Sequence, residues 1–250
     1  MAQIHHARGQ IAAALPLYRQ VAERFVDADE TVRELEQAWF KVPEVVRVVR
    51  GKRAKLEVTA RNLASLDLRA YRVDLLKLYL LKRSLGDLAD VNLAGIKPIL
   101  QRTVKLRAAQ GAGPTEQAVD LALPGKGAYL VLARGGSRVA PSLVLVDALE
   151  MEVTEVVEEG RVRVAVRDAR SRPLAGARVQ LKGTDNQRFT VGNTDLRGIF
   201  IGDEIAGAVT VIAVHRGSYG LYRGTQRLEL APEDTGYRHR PQRKQRNDLR

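Results

Sequence analysis

Two antiparallel β-sandwich domains, behind a short N-terminal helical segment and ahead of a disordered basic C-terminal tail, form the mainly β fold that this sequence predicts. From Val42 to Tyr222 apolar residues recur chiefly at every second position, the period of a half-buried strand. Gly- and Pro-rich turns interrupt this pattern at short intervals, which suits a sandwich better than alternating strands and helices. The length of 250 residues allows two modest cores. Residues 1–41 are therefore assigned to the helical segment, 42–148 to a first sandwich with a small helical insertion, 149–230 to a second sandwich and 231–250 to the tail.

Ile11, Leu15, Tyr18, Ala22 and Phe25 recur at steps of four and three, placing them on one stripe of a helix. Asp27 followed by Glu30 reads as a helix start, and Val32, Leu35 and Trp39 mark the inner face of a further helix that ends before Pro43. Gly9 between two helical stretches, then Ala14, Tyr18 and Phe25, resembles a tetratricopeptide helix pair, with Val26 in the usual Pro position.

After a strand at 45–49 and a turn at Arg50-Gly51-Lys52, read as a hairpin connection, Leu56, Val58 and Ala60 alternate with Lys55, Glu57 and Thr59. Leu66, Leu68 and Ala70 alternate with Asp67, Arg69 and Tyr71. The stretch 75–85 is apolar on too many sides for a periodic assignment, and its end, through Asp87 and Asp90, reads as a short helical insertion. Strands follow at 104–106, 118–123 and 128–133, divided by the turns Gly111-Ala112-Gly113-Pro114 and Pro124-Gly125-Lys126-Gly127, with Gly135-Gly136 after the last. The strand at 128–133 is apolar on both faces, as a central strand is.

In the second unit Leu149, Met151 and Val153 alternate with Glu150, Glu152 and Thr154, and Val162, Val164 and Val166 alternate with arginines. Ala177, Val179 and Leu181 repeat the pattern beyond a turn containing Pro173 and Gly176. Pro173 fixes the backbone as the chain leaves that turn, and Gly176 supplies either a φ that Cβ would forbid or a close approach to the neighbouring sheet. Thr194-Asp195-Leu196-Arg197-Gly198 reads as a second tight turn, in which Asp195 bonds the backbone two residues on and Gly198 takes the left-handed conformation. Strands at 209–214 and 219–222 complete the sheet.

Composition excludes several functions. The absence of cysteine removes disulfides, thiolate metal sites and cysteine nucleophiles. Aromatic residues are 5% of the chain with Trp39 the sole tryptophan, which argues against a site built on stacked rings. The four histidines, His5, His6, His215 and His239, form no metal-ligand spacing. Gly125-Lys126-Gly127 begins like a dinucleotide fingerprint but enters a strand, and Arg216-Gly217-Ser218-Tyr219-Gly220 departs from a nucleophile elbow at its first position. The Glu150, Glu152, Glu155, Glu158 and Glu159 stretch reads as a solvated strand edge rather than a cation site. No catalytic, cofactor or metal residue is therefore assigned, no small-molecule substrate is evident and no stretch has the length of a membrane span.

Six cations against Asp248 in the last 14 residues carry +5 of the net +12. The rest is spread over the polar sides of strands. This tail has too little apolar surface to offset ordering, and Arg238, Arg240, Arg243, Lys244 and Arg246 are its candidate polyanion contacts.

The valine strand, the "Arg-Pro-Leu-Ala-Gly-Ala-Arg-Val" turn, the "Thr-Asp-Leu-Arg-Gly-Ile-Phe" turn and a late valine strand resemble the prealbumin-type sandwich of macroglobulin and carboxypeptidase regulatory domains. Upstream, Arg61-Asn62-Leu63, the run from Leu66 to Val73 and Gly127-Ala128-Tyr129-Leu130-Val131 resemble an early domain of bacterial alpha-macroglobulin-like proteins. The resemblance covers about residues 42–225. It implies a non-catalytic scaffold or protein-interaction module, partnered by another protein or by neighbouring domains of a larger chain. Active members trap proteases with a thioester made from cysteine and glutamine, which this cysteine-free sequence cannot form. The alternative is a polyanion- or nucleic-acid-binding protein acting through its tail, the less favoured reading because that charge lies outside the folded region. A fragment of a macroglobulin-like parent would be extracytoplasmic; a chain truly starting at Met1 would be cytoplasmic.

Overall fold

A computed structural model describes residues 1–82, 95–107 and 113–230. Helices α1 (Ala2–Ala7), α2 (Ile11–Val21) and α3 (Val26–Glu36) lead the chain. With six residues α1 is too short to persist alone and depends on its packing against α2. Ala14, Tyr18, Ala28, Val32 and Leu35 close a small core among the helices, with Ile11, Leu15 and Ala22 packed at its border. Phe25, expected on the same stripe, is exposed because it is the residue preceding α3 in extended conformation. Asp27 lies inside the first turn of α3, where its charge favours the positive helix end, and does not cap it.

The helix expected to reach Trp39 stops at Glu36. Gln37 turns to an extended conformation, and Trp39 opens the strand β1 (Trp39–Lys41), which takes its residues from the segment expected to be helical. Burying Phe40 in the first sandwich core stabilises this arrangement, since a continued helix would carry that ring away from the sheet.

Beyond β1 come β2 (Val45–Val48), β3 (Ala54–Arg61), β4 (Ser65–Val73), α4 (Leu75–Lys82), β5 (Leu100–Lys105), β6 (Thr115–Leu121), β7 (Gly127–Gly135) and β8 (Arg138–Val146). They form one sheet in the order β1-β3-β6 and a second in the order β2-β8-β7-β4-β5. Leu56, Val58 and Ala60 of β3 meet Leu66, Leu68 and Ala70 of β4 and Tyr129, Val131 and Ala133 of β7 in the core between them. The alternation read in β3 and β4 is the burial pattern observed, except that Tyr71, read on the polar side, is buried.

Two sequence readings need correction. The turn at Arg50-Gly51-Lys52 is not a hairpin connection: β2 lies parallel to β8, whereas β3 belongs to the opposite sheet, so the turn carries the chain across the sandwich. All the other strand pairings among the described residues are antiparallel. The strand β8 was missed. Leu143, Val144 and Leu145 are all fully buried, so that stretch has no polar alternation to reveal it. The stretch that periodicity left unassigned from 75 is helical as α4 through Lys82, whereas the insertion expected at its end through Asp87 and Asp90, and the Gly111-Ala112 part of the later turn, lie outside the described residues.

The second sandwich comprises β9 (Glu150–Val156), β10 (Arg161–Arg167), β11 (Arg178–Gly183), β12 (Thr190–Asn193), β13 (Ile199–Gly202), β14 (Val209–His215) and β15 (Ser218–Arg223). Its sheets run β13-β10-β9 and β12-β11-β14-β15. Val162, Val164 and Val166 of β10 pack on Val179 and Leu181 of β11 and Val211 and Ala213 of β14. Glu150 and Glu152 lie on the wet face of β9, as their alternation required.

Candidate functional site

Three places in the fold bear on function: the seam between the sandwiches, a pair of interlocked turns and the attachment of the helices. The seam is a third apolar core. Leu75, Leu78 and Tyr79 of α4 lie with Ala128 and Leu130 of β7, Leu143 and Leu145 of β8, Ile212 of β14 and Leu221 of β15, all buried. Thus β7 and β8 contribute one face to the first sandwich core and the other to the seam, which is why neither alternates. Seven of these residues are leucine or isoleucine, and each such side chain contributes roughly 1.5–3 kcal/mol when fully buried. The sandwiches are therefore fused rather than hinged.

Polar contacts fix the register across the seam. The Arg47 guanidinium of β2 donates to the Leu221 carbonyl of β15 at 2.6 Å, and the Leu149 amide donates to Tyr219 at 3.0 Å. Arg223 pairs with Glu44. Asp74 caps α4 by accepting from the amides of Leu76 and Lys77 at 3.1 and 3.3 Å. The Tyr79 ring meets Phe189 edge-on at 5.7 Å. Burial pushes the Tyr79 hydroxyl above its ordinary range, opposed by a hydrogen bond with Thr210. Tyr219 is likewise raised by burial and by the nearby Asp74 charge.

The predicted turn residues Pro173, Gly176, Thr194, Asp195 and Gly198 are brought together. The Thr194 hydroxyl donates to the Leu174 carbonyl at 2.5 Å and accepts from the Ala177 amide at 2.9 Å, so one buried side chain ties both turns. Asp195 accepts from the amides of Arg197 at 2.9 Å and Ile199 at 2.8 Å. In the other turn Asp168 does the same for the amides of Arg170 and Arg172 at 2.9 and 3.0 Å, and it also pairs with the Arg172 guanidinium. These bonds, led by the Arg172 side chain, hold the Asp168 carboxyl at about 2. Pro173 forms an isolated bridge with Arg167. Gly176 has φ +70° with open space around it, so its freedom of φ is used, not a close approach. At Gly198, with φ +73°, a Cβ would meet the Val166 carbonyl at 2.7 Å and the Leu174 amide at 2.9 Å. The turns touch there.

The helices are attached differently. Arg61 and Asn62, at the end of β3, donate to the Glu34 and Leu35 carbonyls at the end of α3, at 2.5 and 2.9 Å. They satisfy carbonyls that the ending helix leaves without partners. The Arg61 guanidinium also lies over the Trp39 ring at 5.7 Å. The small helical core shares no buried residue with the first sandwich core.

Among the described residues no group of histidine, aspartate and glutamate could hold a metal ion. His5 bonds Gln10 at 2.7 Å and His6 faces the Tyr18 hydroxyl at 3.3 Å. Ser218 follows the tight turn at Arg216 and Gly217, both with positive φ, and its hydroxyl lies 3.5 Å from Asp147. Gly125-Lys126-Gly127 is a turn into β7, latched by the Tyr129 hydroxyl donating to the Pro124 and Gly125 carbonyls at 3.0 and 2.9 Å. Arg238, Arg240, Arg243, Lys244, Arg246 and His239 lie outside the described residues. No helix among the described residues is long and apolar enough to cross a membrane.

No protein-family model and no curated protein matches the sequence. Among solved structures the chain is similar to native Escherichia coli alpha-2-macroglobulin spanning domains MG0-NIE-MG1, with 17% identity and a TM-score of 0.60 over 75% of this chain and 64% of that one. A structure of the same protein spanning NIE-MG1 is matched over 75% of this chain and 97% of that one, with 18% identity and a TM-score of 0.55. A mutant of Salmonella alpha-2-macroglobulin is matched with 15% identity and a TM-score of 0.53 over 75% of this chain and 12% of that one. The chain thus spans less than two thirds of the first structure and a small part of the Salmonella protein. The chain thus shares the fold of the MG0-NIE-MG1 region of bacterial alpha-2-macroglobulin.

Proposed function

We propose that this chain is a non-catalytic structural and protein-interaction module. Its fused sandwiches serve as an arm that presents the helical segment to a protein partner or to neighbouring domains of a larger chain. The observation that carries this reading is the seam: a large apolar core makes two domains into one rigid piece, as a spacer requires and an isolated domain does not. The likeness to early alpha-2-macroglobulin domains supports it. The helical segment supports it as well, since Met1, Ile4, Phe25 and Val26 expose apolar surface there.

The test uses the full chain with an affinity tag in its own host, with partners identified by crosslinking. Phe25→Asp combined with Ile4→Asp should abolish the crosslinked partner while leaving β-sheet unfolding unchanged. Removal of residues 231–250 should leave that partner in place. The reverse outcome, loss only on removing the tail, would replace this reading with the polyanion-binding one.

A further inference from the structure

We infer that an extended groove at one end of the first sandwich, running onto the seam, binds a linear polyanion that carries phosphate or sulfate groups and no bases. The groove is two adjoining hollows of about 610 and 280 Å³ that share Arg50, Lys126 and Asp147 as common walls. The turn at 50–53, which carries the chain between the sheets, lines the larger hollow with Lys52 and Arg53, and Arg102 joins them from β5. The smaller hollow crosses to the second sandwich and adds Arg170, Arg172 and Arg216.

Eight cations thus face three carboxylates, Asp120, Asp147 and Asp168. Asp168 is already neutralised by Arg172, and the other seven cations have no salt-bridge partner among the described residues. Such a concavity focuses positive potential where a flat surface would disperse it. Four different loops and the strand β5 supply the charges, and the seam holds them in fixed relation across both sandwiches.

The shape and the lining choose the ligand. Two connected hollows suit an extended chain more than a compact ion. Arginine forks match the tetrahedral oxygens of phosphate and sulfate. Neither hollow is lined by phenylalanine, tyrosine or tryptophan, and His215 is the one aromatic ring in the lining, so the groove lacks the row of large rings on which single-strand nucleic-acid sites stack successive bases. This site belongs to the folded domains and is separate from both the basic tail and the scaffold role.

The experiment measures binding of end-labelled short-chain polyphosphate, and in a second arm a labelled heparin oligosaccharide, to the intact chain by fluorescence anisotropy over a range of salt. The triple variant K52E/R53E/K126E changes exposed loop residues only and should melt as the parent does. It should lose at least tenfold in affinity, and its log–log salt dependence should flatten by about two to three units, as expected when about three anionic contacts are lost. The control K41E/R134E/R138E places the same charge change on exposed residues outside the groove and should shift affinity by less than about threefold. Deleting residues 231–250 should leave the groove-dependent loss intact. The two arms identify phosphate or sulfate as the preferred group. Equal losses in the groove and control variants, an unchanged K52E/R53E/K126E variant, or tighter binding of charge-matched single-stranded DNA would each overturn the inference.

Discussion

The two junctions in this molecule are built from opposite materials. Between the sandwiches lies a continuous apolar core of nine buried residues, with α4 laid into it. Between the helices and the first sandwich lie two side-chain hydrogen bonds to carbonyls, with no shared buried core. Burial of leucine-sized groups contributes kilocalories each, whereas an exposed hydrogen bond nets about 0.5–1.5 kcal/mol. The first junction therefore makes one folding unit of two domains. The second tethers a segment that can open without unfolding them. A rigid arm with a loosely held end follows from that asymmetry.

The largest expected effect comes from hollowing the apolar junction. Ile212→Ala should cost about 2–5 kcal/mol in denaturant unfolding of the intact chain. Because the side chain belongs to neither sandwich core, it should also split one unfolding transition into two. A single, merely shifted transition would mean that the seam does not couple the domains.

Next are the interlocked turns, which act within the second sandwich alone. Gly198→Ala forces a Cβ into the left-handed region and against two backbone atoms, for a loss of about 2 kcal/mol or more. Thr194→Val leaves the Leu174 carbonyl and the Ala177 amide without their side-chain partner and should cost about 1–3 kcal/mol. Calorimetry of each variant should show the coupled β transition lowered.

The polar junction should respond more weakly. Asn62→Ala should cost about 0.5–1.5 kcal/mol, read as faster amide exchange across α1–α3 with the β transition unmoved. If the β transition falls as far as it does for Ile212→Ala, the helices are not a tethered segment.

The smallest effect is a pH dependence. Asp168 has a folded pKa of about 2, below its ordinary 3.8, so its contribution is present above the ordinary value and is lost as pH falls from about 4 towards 2. Asp195 is shifted in the same direction, chiefly by the Ile199 amide. Acid titration followed by NMR should show the amides of residues 168–172 and 195–199 changing in that window, and Asp168→Asn should remove the first set of changes. Changes centred near the ordinary carboxylate value would show that these bonds do not form.

Much of this organisation was legible in the residues. Strands with a wet face, such as β3, β4 and β10, announced themselves through alternation, as did β11 although its Gln180 and Lys182 are buried, and the turns at Pro173-Gly176 and Asp195-Gly198 through their Gly, Pro and Asp chemistry. What escaped was whatever depended on a second partner. The strand β8 lost its alternation because both faces are covered, and the two-sided apolarity of β7 was the available signal for a seam that sequence reading took only for a central strand. Trp39 continued a helical spacing but was claimed by pairing with β3. The basic groove was illegible because its cations come from four loops and one strand far apart in the chain, each group unremarkable on a polar surface.

Native-state hydrogen exchange on the intact chain measures the coupling of the sandwiches directly. The slowest amides of β7 and β8 should open with the same free energy as those of β14 and β15, with α1–α3 exchanging at a far lower one. Separate opening free energies for the two sandwiches, with the helices protected as strongly as either, would contradict a fused arm with a tethered end.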